Sequence, residues 1–224
     1  ADAVLAETIR SEGKKRQLSA ALGRLSTSAM DLLDGNEEVA REISSVVRAG
    51  LPATNTFHWF LEFPEVFDGG KNGFDAVVGN PPYINAVEMY LGASPVALKK
   101  YYSGHFVAAV GSYDAFVLFY ERAMAIAGEQ ATVGLLIPNK VLSAEYAEAL
   151  RRQIVSTSTV RSLVDFSTAG AFSASVYPVA LVTSTPFADR DCTVLDAKGA
   201  IRSVASQSSL RTAPRHLWSF LLTD

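Results

Sequence analysis

The apolar run Phe74-Asp75-Ala76-Val77-Val78-Gly79 stops at Asn80-Pro81-Pro82-Tyr83, and this junction constrains the fold more than any other stretch. The run reads as a short buried strand of the kind found in parallel sheets. Two successive prolines bring no N–H to a ladder and fix φ, so the strand has to end there. Downstream, helical and apolar patterns alternate. A helix is expected over 113–127, a strand over 131–137, a helix over 143–154 and a strand over 160–166. Strands over 176–184 and 193–196 follow with short connections. This alternation predicts an α/β fold, a partial Rossmann-like sheet that is mostly parallel with an antiparallel edge and flanked by helices.

Upstream of the junction the texture differs. Residues 1–50 read as helical, with Leu18, Leu22 and Leu25 near helical spacing among Lys14, Lys15, Arg16 and Arg24. A turn at Asp34-Gly35-Asn36 leads into a second stretch with Val39, Ile43, Val46 and Val47 on one stripe. Phe57 to Phe67 is dense in aromatic residues, Gly69, Gly70 and Gly73 mark a loop, and the Ser-rich stretch 203–213 reads as a loop or frayed edge. The chain therefore divides into a helical connecting segment, 1–54, a catalytic half-domain, 55–202, and the start of a following segment, 203–224.

Composition narrows the function classes. A single cysteine, Cys192, excludes an internal disulfide framework and a cysteine-rich metal site, as suits a reducing cytoplasm. No apolar run reaches the ~20 residues that span a bilayer, and the first 25 residues carry no signal-peptide core. His58, His105 and His216 form no ligand spacing. The net charge of −3 argues against a domain that grips a polyanion unaided, because phosphate contacts dominate nucleic-acid affinity.

In open α/β sheets, ligands sit beyond the carboxyl ends of the strands, where this chain places Asn80, Pro81, Pro82 and Tyr83. The pattern suits methyl transfer to a planar amino group. Such a nitrogen is a poor nucleophile because its lone pair is delocalised. Two acceptors at tetrahedral angles draw it toward sp3 and aim the lone pair outward. The Asn80 amide oxygen can take one N–H and the Pro81 carbonyl the other. Both prolines stiffen the loop, so the acceptors are preorganised. The Tyr83 ring offers a face for a flat base, worth about 1–3 kcal/mol. An activated methyl donor needs no metal and no strong general base.

Residues 74–83 resemble the catalytic motif of gamma-type amino-methyltransferases that act on adenine. Phe57-His58-Trp59 with Glu62-Phe63-Pro64-Glu65-Val66-Phe67 is similar to a segment of the large methylases of type IIG restriction–modification systems and related phage-defence methylases. Ser112-Tyr113-Asp114, Phe119-Tyr120-Glu121-Arg122-Ala123, Gly134 to Lys140, Val164-Asp165-Phe166 and Ala171-Phe172 continue the resemblance over roughly residues 55–185. It implies an S-adenosylmethionine-dependent DNA adenine-N6 methyltransferase of a bacterial or archaeal cytoplasm. The target adenine would be flipped out of double-stranded DNA between Tyr83 and Phe172. The family's glycine-rich cofactor turn and the acidic residue after its second strand are not visible before Asn80. Asn80 is thus the one cofactor-side residue named here. The rest of that site, the other half of the sheet and any nuclease are expected upstream, and sequence recognition after Asp224.

Several other residues admit plain structural readings. Trp59 and Phe60 read as core, Asp114 as a helix cap, and Lys99-Lys100-Tyr101-Tyr102 as a solvated loop. Glu62 and Glu65 pair without a recognisable sugar cleft. Two other functions fit the junction. One is a methyltransferase acting on a glutamine amide of release factors, which shares Asn80-Pro81-Pro82-Tyr83-Ile84. The other is a non-catalytic remnant that binds a partner.

Overall fold

The computed structural model describes residues 2–11, 14–33, 35–50, 57–67, 72–89, 95–167 and 177–222. In chain order these hold α1 (Asp2–Arg10), α2 (Lys15–Leu33), α3 (Glu37–Gly50), α4 (Trp59–Glu62), α5 (Pro64–Phe67), β1 (Phe74–Gly79), α6 (Ala86–Met89), α7 (Pro95–His105) and α8 (Phe116–Ile126). Then come β2 (Ala127–Pro138), α9 (Glu148–Thr157), β3 (Thr159–Asp165), β4 (Pro178–Ser184), β5 (Cys192–Asp196), β6 (Ile201–Ala205) and α10 (Gln207–Thr212). Single 3-10 turns occupy Asn139–Leu142, Glu145–Ala147, Pro214–His216 and Ser219–Leu222. The chain forms two compact units, one of Ala1–His58 with Tyr90–His105, the other of Trp59–Met89 with Phe106–Asp224.

The first unit is helical, as the sequence predicts. α1 packs on α2, α3 and α7, and buries Ala6 and Ile9. Asn36 caps α3 through its side-chain oxygen, which accepts the Glu38 and Val39 N–H groups at 3.0 and 3.3 Å. The expected stripe of Val39, Ile43, Val46 and Val47 is half-buried between exposed neighbours. Lys99 to Tyr102 lie within α7 rather than in a loop, and the Tyr101 ring stacks on His105 with centroids 4.1 Å apart.

The second unit is α/β, built on a six-stranded sheet in the order β1-β2-β4-β3-β5-β6. β1, β2, β3 and β5 run in one direction, and β4 and β6 run against them. The expected antiparallel edge is β6, paired with β5. The other reversed strand, β4, lies inside the sheet and pairs with both β2 and β3. A buried core of Phe116, Tyr120, Ile137, Leu150, Ile154, Leu163, Leu181 and Trp218 joins α8 and α9 to the sheet. The buried Tyr120 hydroxyl is 3.0 Å from the Thr183 hydroxyl, which seats α8 on β4.

Two readings change. Among the described residues β1 pairs only with β2, so it is an edge strand, and Val78 is 85% exposed. Its apolar pattern suits a strand paired on both flanks, yet among the described residues only one flank is paired. The stretch 203–213 is not a loop. It completes β6 and forms α10, capped by the Ser206 hydroxyl at 3.1 Å from the Ser209 N–H. Gln207 is buried and mimics a strand, accepting from Val160 N at 3.1 Å and donating to Val160 O at 2.8 Å. Polarity there marks side chains that satisfy backbone groups, which composition does not separate from solvated polarity.

Gly73 immediately precedes β1 at φ +142°, and a Cβ there would meet Gly128 N and Ile126 O at 2.7 Å. Gly73→Ala is expected to cost about 2–4 kcal/mol, seen as a lower urea midpoint, whereas an alanine at the open Gly104 should cost far less. The fully buried Arg151 donates to the carbonyls of Val141 and Ala144 at 2.9 Å each, and to that of His216. Arg151→Ala leaves those acceptors unpaired and should lower unfolding free energy by about 3 kcal/mol in the same assay.

Candidate active site at the carboxyl end of β1

Gly79 aligns with Leu135 in the parallel pairing of β1 and β2, so the chain leaves the sheet at Asn80 beside the last residues of β2. Pro81 is buried, Tyr83 is half-buried, and Asn80 and Pro82 are exposed. The Tyr83 hydroxyl donates to the Leu136 carbonyl at 3.2 Å, which ties the ring to the end of β2. Burial raises the Tyr83 pKa above its ordinary value, so the phenol stays protonated as that donor. Among the described residues no group hydrogen-bonds the Asn80 amide or the Pro81 carbonyl. Asn80 is exposed, and both acceptors are without a partner among the described residues.

The loop returns to the fold through its main chain. Ala86 N–H donates to Tyr113 O and Ala115 N–H donates to Ile84 O, both at 2.7 Å, around an antiparallel bridge between Asn85 and Asp114. Asn85 and Glu88 form a reciprocal cap on α6, with Glu88 N–H to the Asn85 side-chain oxygen at 3.0 Å and Asn85 N–H to the Glu88 carboxylate at 3.3 Å. The Asn-x-x-Glu spacing is a local sequence signal for this cap.

Asp114 is not the helix cap that its position suggests. Its carboxylate accepts the Tyr146 hydroxyl at 2.8 Å and lies 3.4 Å from the Lys140 ammonium. Burial and the Asp114 carboxylate both push the Tyr146 pKa up. Glu121 is a second carboxylate outside the expected site. It is buried in α8 and accepts the Val107 and Ala108 N–H groups at 2.8 Å each, fixing the loop before Tyr113. These partners are 13 to 32 residues apart in sequence, and no local spacing rule reaches them.

A cavity of about 320 Å3 lies on the α8 side of β1. Trp59, Val78, Asn80, Pro82, Phe119 and Arg122 are among its lining residues. Trp59 also meets Phe63 and Phe74 at centroid distances of 6.0 and 5.8 Å, so it serves both the local aromatic cluster and the cavity wall. Phe60 is 61% exposed and is not core. Phe172, and with it Ala171, Gly69 and Gly70, lies outside the described residues. Among the described residues no three His, Cys, Asp or Glu side chains are grouped to hold a metal ion, and no helix is long and apolar enough to cross a membrane.

Comparison with known proteins places this geometry in context. The family described as Eco57I restriction-modification methylase matches residues 18–172. The type II restriction enzyme and methyltransferase RM.Eco57I of Escherichia coli is 28% identical over 106 residues, 47% of this chain and 10% of the relative. The type II methyltransferase M.BstVI of Geobacillus stearothermophilus is 29% identical over 153 residues, 67% of this chain and 25% of the relative. The chain thus spans a quarter or less of these two relatives' lengths. A methyltransferase subunit of a type I restriction-modification system from Streptococcus thermophilus superposes with a TM-score of 0.43 at 13% identity, over 69% of this chain and 32% of that one.

Tyr83→Phe removes the tether to Leu136 and keeps the ring. It should change stability by about 1 kcal/mol or less, read as a small shift in the urea midpoint.

Proposed function

The chain belongs to the Eco57I restriction-modification methylase family, and we propose that it carries the catalytic half of a site-specific DNA adenine-N6 methyltransferase of the type IIG kind. The observation that carries this reading is a pair of acceptors without a partner among the described residues, the Asn80 amide and the Pro81 carbonyl, beside a tyrosine ring anchored by its own hydroxyl. Asn80 accepts one N–H of the adenine amino group and the Pro81 carbonyl accepts the other. The nitrogen lone pair turns out of the ring plane toward the methyl donor. Tyr83 stacks on one face of the flipped base and Phe172 on the other. Pro81 and Pro82 keep the acceptors aimed before substrate arrives, so little reorganisation is left for the reaction.

S-adenosylmethionine would supply a methyl group already activated on a sulfonium sulfur. The residues present fit one side of it. The cavity beside Asn80 lies within the range of about 300–1,000 Å3 usual for small-molecule sites, and its described lining is mostly apolar with no carboxylate for a ribose. We assign the remaining contacts, together with strands covering the open flank of β1, to further domains of the same polypeptide. In this division residues 1–54 connect those domains to the catalytic half, 55–202, and 203–224 lead onward. Double-stranded DNA is the partner, and a net charge of −3 suits a catalytic half whose DNA grip is shared with other domains. Membership of a restriction-modification family favours DNA over a release-factor amide.

The test is methyl transfer from labelled S-adenosylmethionine to mixed-sequence DNA by the intact polypeptide that carries this chain. N6-methyladenine is expected in the digested DNA, and Asn80→Ala should lower the rate roughly 100-fold or more. A folded, cofactor-binding protein that labels no DNA would count against the reading.

A further inference from the structure

Three separate stretches meet at one carboxylate near the candidate site. The bridge between Asn85 and Asp114 holds the chain two residues beyond Tyr83, through main-chain hydrogen bonds of 2.7 Å on either side. The Asp114 side chain then reaches Tyr146 at 2.8 Å and Lys140 at 3.4 Å, both on the turns that follow β2. Tyr146 is not free to drift, because its ring packs edge-on against the buried Phe116 with centroids 6.2 Å apart. The Asp114 carboxylate is 18% exposed, and Lys140 is 63% exposed. The phenol is thus the sheltered, directional partner and the ammonium the peripheral one. An exposed ion pair of that kind contributes little, about 0–1 kcal/mol, whereas a shielded hydrogen bond to a charged acceptor holds its geometry.

We propose that Asp114 and Tyr146 are positioning residues for the Asn80–Tyr83 loop. The proposal rests on the methyltransferase reading above for its effect on rate, but not for its effect on the loop. Tyr146 fixes Asp114, Asp114 fixes the segment 113–115, and that segment fixes residues 84–86, which set where the Asn80 and Pro81 acceptors point. Neither residue touches the substrate. Their contribution is to hold two acceptors within the narrow tolerance that near-attack geometry requires, where a shift of about 1 Å can cost 100-fold.

The experiment uses the intact polypeptide and the variants Tyr146→Phe, Asp114→Ala, Asp114→Asn and Lys140→Ala. Amide hydrogen exchange at Ala86 and Ala115 reports the loop directly, and steady-state methyl transfer reports its consequence. In Tyr146→Phe and Asp114→Ala, exchange at both amides should accelerate and kcat should fall about tenfold or more, with KM for DNA and for S-adenosylmethionine nearly unchanged. Asp114→Asn keeps an acceptor for the phenol and should return both readouts close to wild type. Lys140→Ala should leave exchange unaltered. Unchanged exchange and unchanged kcat in both Tyr146→Phe and Asp114→Ala would overturn the proposal. So would losses that Asp114→Asn does not rescue. Faster exchange in a protein whose wild type methylates no DNA supports the positioning role and counts against the DNA reading alone.

Discussion

The parallel pairing of β1 with β2 is the constraint on which the second unit depends. It sets Gly79 level with Leu135, and so determines that Asn80 emerges beside the exit of β2. The prolines then force the chain out of the ladder within one residue of that point. Every contact of the candidate site follows from this level. Tyr83 can reach Leu136 because β1 ends level with Leu135, and Asp114 can reach Lys140 and Tyr146 because the segment before α8 runs past the end of β2. A shift of one residue in this register would move the tyrosine ring and both acceptors away from the turns that steady them.

The open flank of β1 gives that arrangement a one-sided character. On one side the strand pairs with β2 from Thr132 to Leu135, and β2 in turn pairs with β4 without a break from Thr132 to Pro138. On the other side Asp75, Ala76 and Val78 face outward without a described strand partner. The cavity beside Asn80 sits over the same strand, walled by Trp59 and Phe119. The motif with its two acceptors and the mostly apolar cavity thus share one short strand.

Much of this was legible in the sequence, for identifiable reasons. β1, β2, β3, β4 and β5 were readable because short apolar runs bounded by turn residues carry a strong local signal. The Asn80–Tyr83 motif was readable because two prolines after a strand leave few conformations. The misses have a common cause. The outward face of Val78, the burial of Gln207, the use of Asp114 by Tyr146 and the engagement of Glu121 all depend on which neighbour arrives from far along the chain. Asp114 looks like a cap because caps are local, whereas its actual partner lies 32 residues on. A residue's type says what it can bond. Only the fold says to what.

Arg151 carries one more consequence. Its guanidinium joins the carbonyls of Val141 and Ala144, in the turns after β2, to the carbonyl of His216. Trp218 is buried next to this junction and donates its own N–H to Leu142 O at 2.8 Å. The turns bearing Lys140 and Tyr146 are therefore braced by a stretch more than 60 residues later in the chain. During synthesis on the ribosome, which proceeds from the amino end at about 5–20 residues per second, the motif at Asn80 emerges several seconds before its brace. Until residues 216–218 emerge, the turns bearing Lys140 and Tyr146 lack the Arg151–His216 and Leu142–Trp218 contacts. The order of synthesis thus sets the motif before the residues that support its neighbouring turns.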